Sequence, residues 1–531
     1  MAKKILYISF VSLLVSGCFV STYSNDWNIV WEEEPIHEKR AFLSRIHPAE
    51  NQPNVILIMA DDLGKYEVSA YGAEHISTPN IDAIGMNGVR FQEAYVTAPI
   101  CAPSRASILT GRYQQRFGFE TQPMDFYPTN KLEYALGKKS DLGDWYPTAE
   151  GDFPSPWMMD RQGVPPNEIN IAELYQAAGY STGIIGKWHL GAGEEHIPNN
   201  RGFDYQYGFY GAFSLYTPKQ TTPGYVNHIQ DDMSSQHQWG MKRNENAAIR
   251  ENHVVVKEQD YLTFALKDRA KEFVTAQKDS NFFLYLSFNA PHVPFQAPEL
   301  YYNQFEHIKD KNQRVYLAMI KAMDDAIGDF MQHLENEGLL ENTIVYFISD
   351  NGGASYTGAT DNGPLKGGKI THFEGGINVP FMMQWKGHIT PGTVFQQPVS
   401  SMDIFTTSLN ACGIPLPNNV KIDGRNLMPF IKKEALGQPH EKLYWRTDHI
   451  HAIRYQKWKL ILSTRDEWMH LYNLESDKSE KIDLKDLNAA EKQMLLRFFE
   501  EWDKDLPQEY LWPRIMDRKF ILGDRTYFFP A

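Results

Sequence analysis

Four short apolar runs, each ending in residues that bind ions or protons, constrain this chain most: NVILIMADD from Asn54, STGIIGKWHLG from Ser181, FFLYLSFNAPH from Phe282 and TIVYFISDNGG from Thr343. Each run is continuous rather than alternating, so each reads as a strand buried on both faces, as in a parallel sheet covered by helices. Helical stretches at Ile171 to Ala178 and Val315 to Glu337 lie between them, giving the βα alternation of a doubly wound fold. The expected class is α/β, with a large, mostly parallel sheet sandwiched by helices. In such sheets ligands gather outside the carboxyl ends of the strands. Solubility explains one polar strand end, whereas four that supply only carboxylates, amides, cations and imidazoles point to an active site.

Asp61, Asp62, Asp350 and Asn351 offer hard oxygen ligands, which suit Ca²⁺ or Mg²⁺ and not Zn²⁺. Lys187 and His189 are two apart on an extended stretch, so they point to the same side and together can face one anion. His292 sits between prolines, and LKGGK brings Lys366 and Lys369. A formal net charge of −14 over 531 residues excludes a general nucleic-acid binder, which needs a basic stripe. It leaves a small anionic substrate open, since a few buried cations suffice to bind one.

Cysteines occur at 18, 101 and 412. In Cys101-Ala102-Pro103-Ser104-Arg105, Pro103 suits the first turn of a helix, which places Cys101 near the helix N-terminus, where free N–H groups favour an anion. Arg105 then lies in the first turn, in reach of the carboxylates. The longer stretch TAPICAPSRASILTGR resembles the signature of the type I, formylglycine-dependent sulfatases of the alkaline-phosphatase-like superfamily. APHVPFQAP, RGFDYQYGF and MDDAIGDF extend the resemblance over roughly Asn54 to Pro380.

The resemblance implies hydrolysis of sulfate esters. Cys101 becomes an aldehyde, formylglycine, through a maturation enzyme that reads Pro103 and Arg105. Asp61, Asp62, Asp350, Asn351 and the modified residue 101 hold Ca²⁺, or Mg²⁺. One hydroxyl of the hydrated aldehyde attacks sulfur, His292 protonates the leaving oxygen, Lys187 and Lys369 neutralise charge, and His189 or a neighbouring carboxylate helps the second hydroxyl expel sulfate. Spacing to Glu374-Gly375-Gly376 selects Lys369 over Lys366. The family commonly has Arg where this chain has Asn378, a position expected to be structural. A phosphatase or phosphonate monoester hydrolase of the same superfamily is the alternative, told apart by relative turnover of aryl sulfates and phosphates. A glycan-binding protein without catalysis is the third reading.

Lys3 and Lys4, the apolar run from Ile5 to Val15, and Val15-Ser16-Gly17-Cys18 resemble a bacterial lipoprotein signal over 1–17, with Cys18 lipidated. That predicts a lipid anchor in the bacterial cell envelope, facing the periplasm or outer membrane, and a sulfated polysaccharide or its oligosaccharides as substrate. With Cys18 lipidated and Cys101 oxidised, Cys412 has no partner for an intrachain disulfide. Residues 18–50 read as a tether, 51–430 as the catalytic domain and 431–531 as a C-terminal subdomain. In that subdomain HAIRYQKWKLILS and HLYNLES predict antiparallel strands, and Leu495, Phe498, Phe499 and Trp502 mark one helix face. His449 and His451 read as surface residues, with the pocket mouth as the alternative. Tyr527 to Pro530 is apolar enough to pack back on the body. Between Gly118 and Pro165, Phe126, Tyr127, Tyr134, Trp145, Tyr146, Phe153 and Trp157 occur without period, which predicts a long ordered loop, either walling the pocket or packed as a hydrophobic lid on the core with no substrate contact.

Overall fold

The computed structural model describes residues 27, 29, 31–48, 52–124, 144–148, 155–219, 221–228, 242–514 and 516–531. The signal segment, Cys18, Phe126, Tyr127, Tyr134 and Phe153 lie outside the described residues.

The four apolar runs form the strands Asn54–Ala60, Ser181–Lys187, Phe282–Ser287 and Thr343–Ser349. They are neighbours. Thr343–Ser349 and Phe282–Ser287 flank Asn54–Ala60, Ser181–Lys187 follows, and Tyr205–Phe209 makes a fifth, every pair parallel. Phe381–Trp385 adds on antiparallel, and short edge strands complete a sheet of ten.

Burial on both faces explains the unbroken hydrophobicity of these strands. Val55, Leu57 and Met59 enter one core with Tyr175, Phe283 and Leu409. Ile56, Ile58 and Ala60 enter the other, with the apolar face of the long helix Lys311–Asn336. Each such aliphatic side chain removed from water contributes roughly 1.5–3 kcal/mol, so the sheet is a rigid platform for whatever its ends carry. Capping sets where the covering helices start: Asp310 accepts from the Gln313 N–H at 2.9 Å, and Asn170 and Glu173 form a capping box.

The C-terminal strands Lys442–Thr447, Ile450–Tyr455, Trp458–Ser463 and Met469–Asn473 form an antiparallel sheet. Helix Ala489–Asp503 covers it, burying Leu495, Phe499 and Trp502, with Phe498 partly buried. The hairpin Met516–Leu522 and Arg525–Pro530 follows, burying Tyr527 and Phe529 as expected of an apolar tail.

Two regions differ from expectation. The segment read as a tether is docked from Trp27 onward: Trp27, Ile29 and Ile46 are buried, and Glu33–Leu43 is a helix. Its anchor is Lys39, whose ammonium donates to the carbonyls of Pro166 at 2.8 Å and Glu168 at 2.9 Å and pairs with Glu173 at 2.6 Å. A helix held by one buried lysine and a few apolar residues shows no apolar stripe, hence no period. In the stretch read as a loop, Trp145–Pro147 is a strand that pairs antiparallel with Met516–Leu522, and Pro156–Asp160 is a short helix. Elements this short do not establish a period. Among the described residues no helix is long and apolar enough to cross a membrane.

Candidate active site

The strand order decides which polar ends meet. Asp350, Asp61 and Asp62 leave adjacent parallel strands, Lys187 ends the strand on the far side of Phe282–Ser287, and His292 follows that strand. Helix Cys101–Thr110 starts at the cysteine itself, with Ile100 as its cap residue and every residue buried. The Cys101 thiol lies 3.4 Å from Asp61 Oδ1 and 3.9 Å from Asp62 Oδ1. Burial pushes that thiol up, so an unmodified Cys101 stays protonated and unreactive at neutral pH.

Charge in the floor is tightly paired. Lys187 Nζ lies 2.7 Å from Asp61 Oδ2, and Lys369 Nζ 2.9 Å from Asp62. Arg105 places Nε and Nη2 each 2.8 Å from Asp350 Oδ2 and Nη1 2.6 Å from Ser287 Oγ. Burial alone would raise the Asp61 and Asp62 carboxyls; Lys187 beside Asp61 and Lys369 beside Asp62 outweigh it and hold both below the usual carboxylate value. Asp350 is raised, by burial and by the Asp61 charge, despite Arg105. Asp62 outweighs burial at Lys369 and lifts its ammonium well above the ordinary value, so it is a permanent cation.

Both imidazoles are shifted downward by their surroundings. Burial lowers His189 well below its usual value, with Lys187 and Arg105 adding to the effect, and both its ring nitrogens are buried without a hydrogen-bond partner among the described residues. Burial and Lys369 lower His292 too; its Nε2 is 3.6 Å from Asp62 Oδ2 and its Nδ1 faces the Val293 carbonyl. Backbone strain marks the same place. Asp62 and His189 both have φ of 63°, and Ile370, next to Lys369, has φ of 79°, which is rare for a β-branched residue. Ile370 is held there by its N–H bonding the Pro99 carbonyl at 2.7 Å.

The donor atoms of Asp61, Asp62, Cys101 and His292 lie within 4.8 Å of one another. Asn351 donates through Nδ2 to Asp62 Oδ1 at 2.7 Å, while its Oδ1 is buried without a partner among the described residues. An orphaned amide oxygen beside carboxylates is costly in a protein interior and is satisfied by a hard divalent cation. The residues therefore fit such an ion. His292 joins the cluster, whereas Asp350 is tied to Arg105 and, through Oδ1, to the Asp62 N–H at 3.2 Å.

Above the floor opens a cleft of about 210 Å³, walled by His189, Phe213, His292, Tyr356, Lys369 and Trp145. Trp145 thus holds the wall position expected of the 118–165 segment. Trp157 does not: it is 57% exposed, its ring 4.7 Å from the Arg161 guanidinium in a separate cavity with Glu194 and Glu195. Lys366 points away too, its ammonium 4.1 Å from the Phe373 ring centre, as the choice of Lys369 requires. Asn378 is structural, bonding Lys65, Tyr95 and Glu374. His449 and His451 wall no part of the cleft; His449 is buried, with Nε2 3.2 Å from the Phe528 carbonyl, and His451 stacks on Phe499.

Residues 53–414 match the sulfatase family model. The chain is a member of the sulfatase family. Residues 368–501 also match the C-terminal region of N-sulphoglucosamine sulphohydrolase. The sulfatase is 31% identical to the N-acetylgalactosamine-6-sulfatase of Rattus norvegicus over 424 residues, 78% of this chain and 72% of the relative. It is similar to the crystal structure of Ps i-CgsB in complex with k-i-k-neocarrahexaose, with TM-score 0.72 and 34% identity over 87% of this chain and 95% of that one. The phosphonate monoester hydrolase of Silicibacter pomeroyi, 18% identical with TM-score 0.61 over 90% of this chain and 99% of that one, shares the fold. The activity of this sulfatase is hydrolysis of sulfuric esters, and the phosphatase alternative is not favoured.

Sequence reasoning missed the residues that hold the sulfatase floor in place. Ser287 Oγ accepts from Arg105 and donates to the Lys187 carbonyl at 2.7 Å, and Tyr285 lies 3.3 Å from Arg105. Asn362 joins the metal-side loop to the Lys369 loop by accepting from the Gly353 N–H at 2.8 Å and donating to the carbonyls of Gly353 and Gly367. A serine at the end of FFLYLS was the one available signal; Asn362 had none.

Proposed function

We propose that this sulfatase removes sulfate from oligosaccharides of a sulfated polysaccharide, with algal galactans of the neocarrahexaose type as the first candidates, using a formylglycine made from Cys101. The observation that carries the proposal is Cys101 at the buried start of its helix, 3.4 Å from Asp61, below a cleft that Lys369, His189 and His292 wall. The similarity to a structure holding a neocarrahexaose supports the sugar class.

Asp61, Asp62, Asp350, Asn351 and the modified residue 101 are the residues that would hold the divalent cation, Ca²⁺ in our reading, which would supply Lewis acidity. Once residue 101 is the aldehyde, its hydrate would supply two hydroxyls on one carbon, one for attack and one whose deprotonation would re-form the C=O bond as the C–O bond to sulfate breaks. The chain's own side chains do the rest. Lys187 and Lys369 bring fixed positive charge to the transferring sulfate, and the N–H groups at the start of the Cys101 helix add their dipole. Arg105 holds Asp350 and, through Ser287, the end of the Lys187 strand. His292 delivers a proton to the leaving sugar oxygen, which a poor leaving group needs. His189, neither of whose nitrogens has a hydrogen-bond partner among the described residues, binds the sulfate or takes a proton from the hydroxyl.

The supporting processing is export through the 1–17 signal, lipidation of Cys18 in a bacterial envelope, and a maturation enzyme acting on Cys101. The proposed division is 51–430 for the catalytic domain and 431–531 for a C-terminal subdomain that shares the rim of the cleft. Peptide mass spectrometry of active protein tests the chemistry: residue 101 should read as the aldehyde, and Cys101→Ala should lower turnover by on the order of 10⁴-fold or more without unfolding the chain. An unmodified thiol in fully active protein refutes it.

A further inference from the structure

LKGGK carries a second lysine that the active site does not use. Lys366 and Lys369 are separated by Gly367 and Gly368 and face different cavities: Lys369 the catalytic cleft, Lys366 a larger one of about 590 Å³ between the Gly363–Gly367 loop and the C-terminal hairpin. Arg525 and Lys481 stand exposed at its rim, and Tyr472 and Tyr527 form its wall.

Its charges are unequally committed. Among the described residues Lys366, Lys481 and Arg525 have no ion-pair partner, whereas two of the acids lining the cavity are taken. Glu480 pairs with Lys459 at 2.9 Å and accepts from the Glu374 N–H at 2.7 Å. Asp483 accepts from His470 at 2.8 Å and from the Leu471 and Lys485 N–H groups, each at 3.1 Å. Asp524, exposed at the hairpin turn, is the remaining acid. Lys366 is half-buried, and among the described residues its ammonium meets the Tyr472 hydroxyl at 3.3 Å, the Glu480 carbonyl at 3.5 Å and aromatic faces. Burial lowers its pKa, with Lys459 and Arg525 adding to the effect and Glu480 and Asp483 only partly opposing it. Free Lys and Arg tips above aromatic and aliphatic walls, in a protein of net charge −14, suit a sulfated sugar, whose sulfates pair with the cations while its ring covers the walls.

We propose that this cavity is a second, non-catalytic binding site for a sulfated oligosaccharide segment, with Lys366, Lys481 and Arg525 as its sulfate contacts. It rests on the reading of the substrate as a sulfated glycan. Its occupant lies against the loop that presents Lys369, because Gly375 N–H bonds the Lys366 carbonyl at 2.8 Å and Lys369 N–H bonds the Gly353 carbonyl at 3.0 Å. A polymer docked there is retained between cleavage events.

Calorimetric titration of neocarrahexaose into full-length Cys101→Ala protein tests it. Lys481→Ala/Arg525→Ala, both surface positions, should weaken one binding event about tenfold, while leaving aryl sulfate turnover of the Cys101 protein unchanged. Lys366→Gln should act in the same direction. Binding that responds to Trp145→Ala and not to the rim variants overturns the second site and leaves the substrate reading standing. Binding that responds only to the rim variants keeps the second site and removes the substrate reading. Absence of binding overturns both, and inorganic sulfate bound with equal affinity reduces the cavity to a plain anion site and overturns the saccharide assignment.

Discussion

At the floor of the cleft Asp61, Cys101, Arg105, Lys187 and Asp350 are fully buried and bonded to one another, each delivered by the end of a strand or the start of a helix. At the rim, Trp145, Tyr356, Arg514 and Met516 come from three segments far apart in the chain, brought together by the Trp145–Pro147 pairing with the C-terminal hairpin and by the Tyr356 ring packing on Trp145 and Phe520. The rim is held by looser chemistry: the Arg518 guanidinium sits 4.7 Å from the Trp145 ring and 4.1 Å from the Tyr356 ring, and Arg514 pairs with Asp448 and Asp517. A floor in which each charge needs its partner tolerates no change, whereas a rim of stacked rings can vary with the sugar. Sulfate chemistry and sugar choice therefore sit in separate parts of one cleft.

Breaking the floor should have the largest effects. Asp61→Ala leaves the Lys187 ammonium buried without its partner and removes a ligand, so the expected outcome is loss of bound metal and of activity together. A stability decrease of about 3–5 kcal/mol should accompany it. Elemental analysis and denaturant unfolding read both, and an unchanged metal content would show that the ion is held elsewhere. His292→Ala should be milder and selective. It should keep the metal and lose on the order of 10²- to 10⁴-fold on sugar sulfates but far less on nitrophenyl sulfate, whose leaving group needs no proton. Equal losses on both substrates would assign His292 to the metal cluster rather than to proton delivery.

The smallest effect belongs to the rim and sharpens the contrast. Trp145→Ala should raise KM for the oligosaccharide several-fold to about tenfold and leave small aryl sulfates nearly unchanged. Trp157→Ala, which alters an exposed ring outside the cleft, should change neither. Parallel losses on large and small substrates in Trp145→Ala would make the rim part of the floor.

The sheet was legible because a strand buried on both faces must be continuously apolar, and a strand that ends at a site must end in its ligands; Ile58 and Asp61 illustrate both. The Cys101 segment was legible because a helix start and its nucleophile are contiguous. Lys369 could be told from Lys366 only through the family resemblance, by its spacing to Glu374-Gly375-Gly376. What the sequence by itself determined is thus the set of strand ends and the chemistry they can support. Only the tertiary structure decided that Trp145 and not Trp157 reaches the cleft, that Lys39 docks the segment read as a tether, and that Lys366 opens on a second cavity. Those outcomes depend on pairings between distant segments, such as Arg518 opposite Trp145, which leave no local period because each segment contributes only a residue or two.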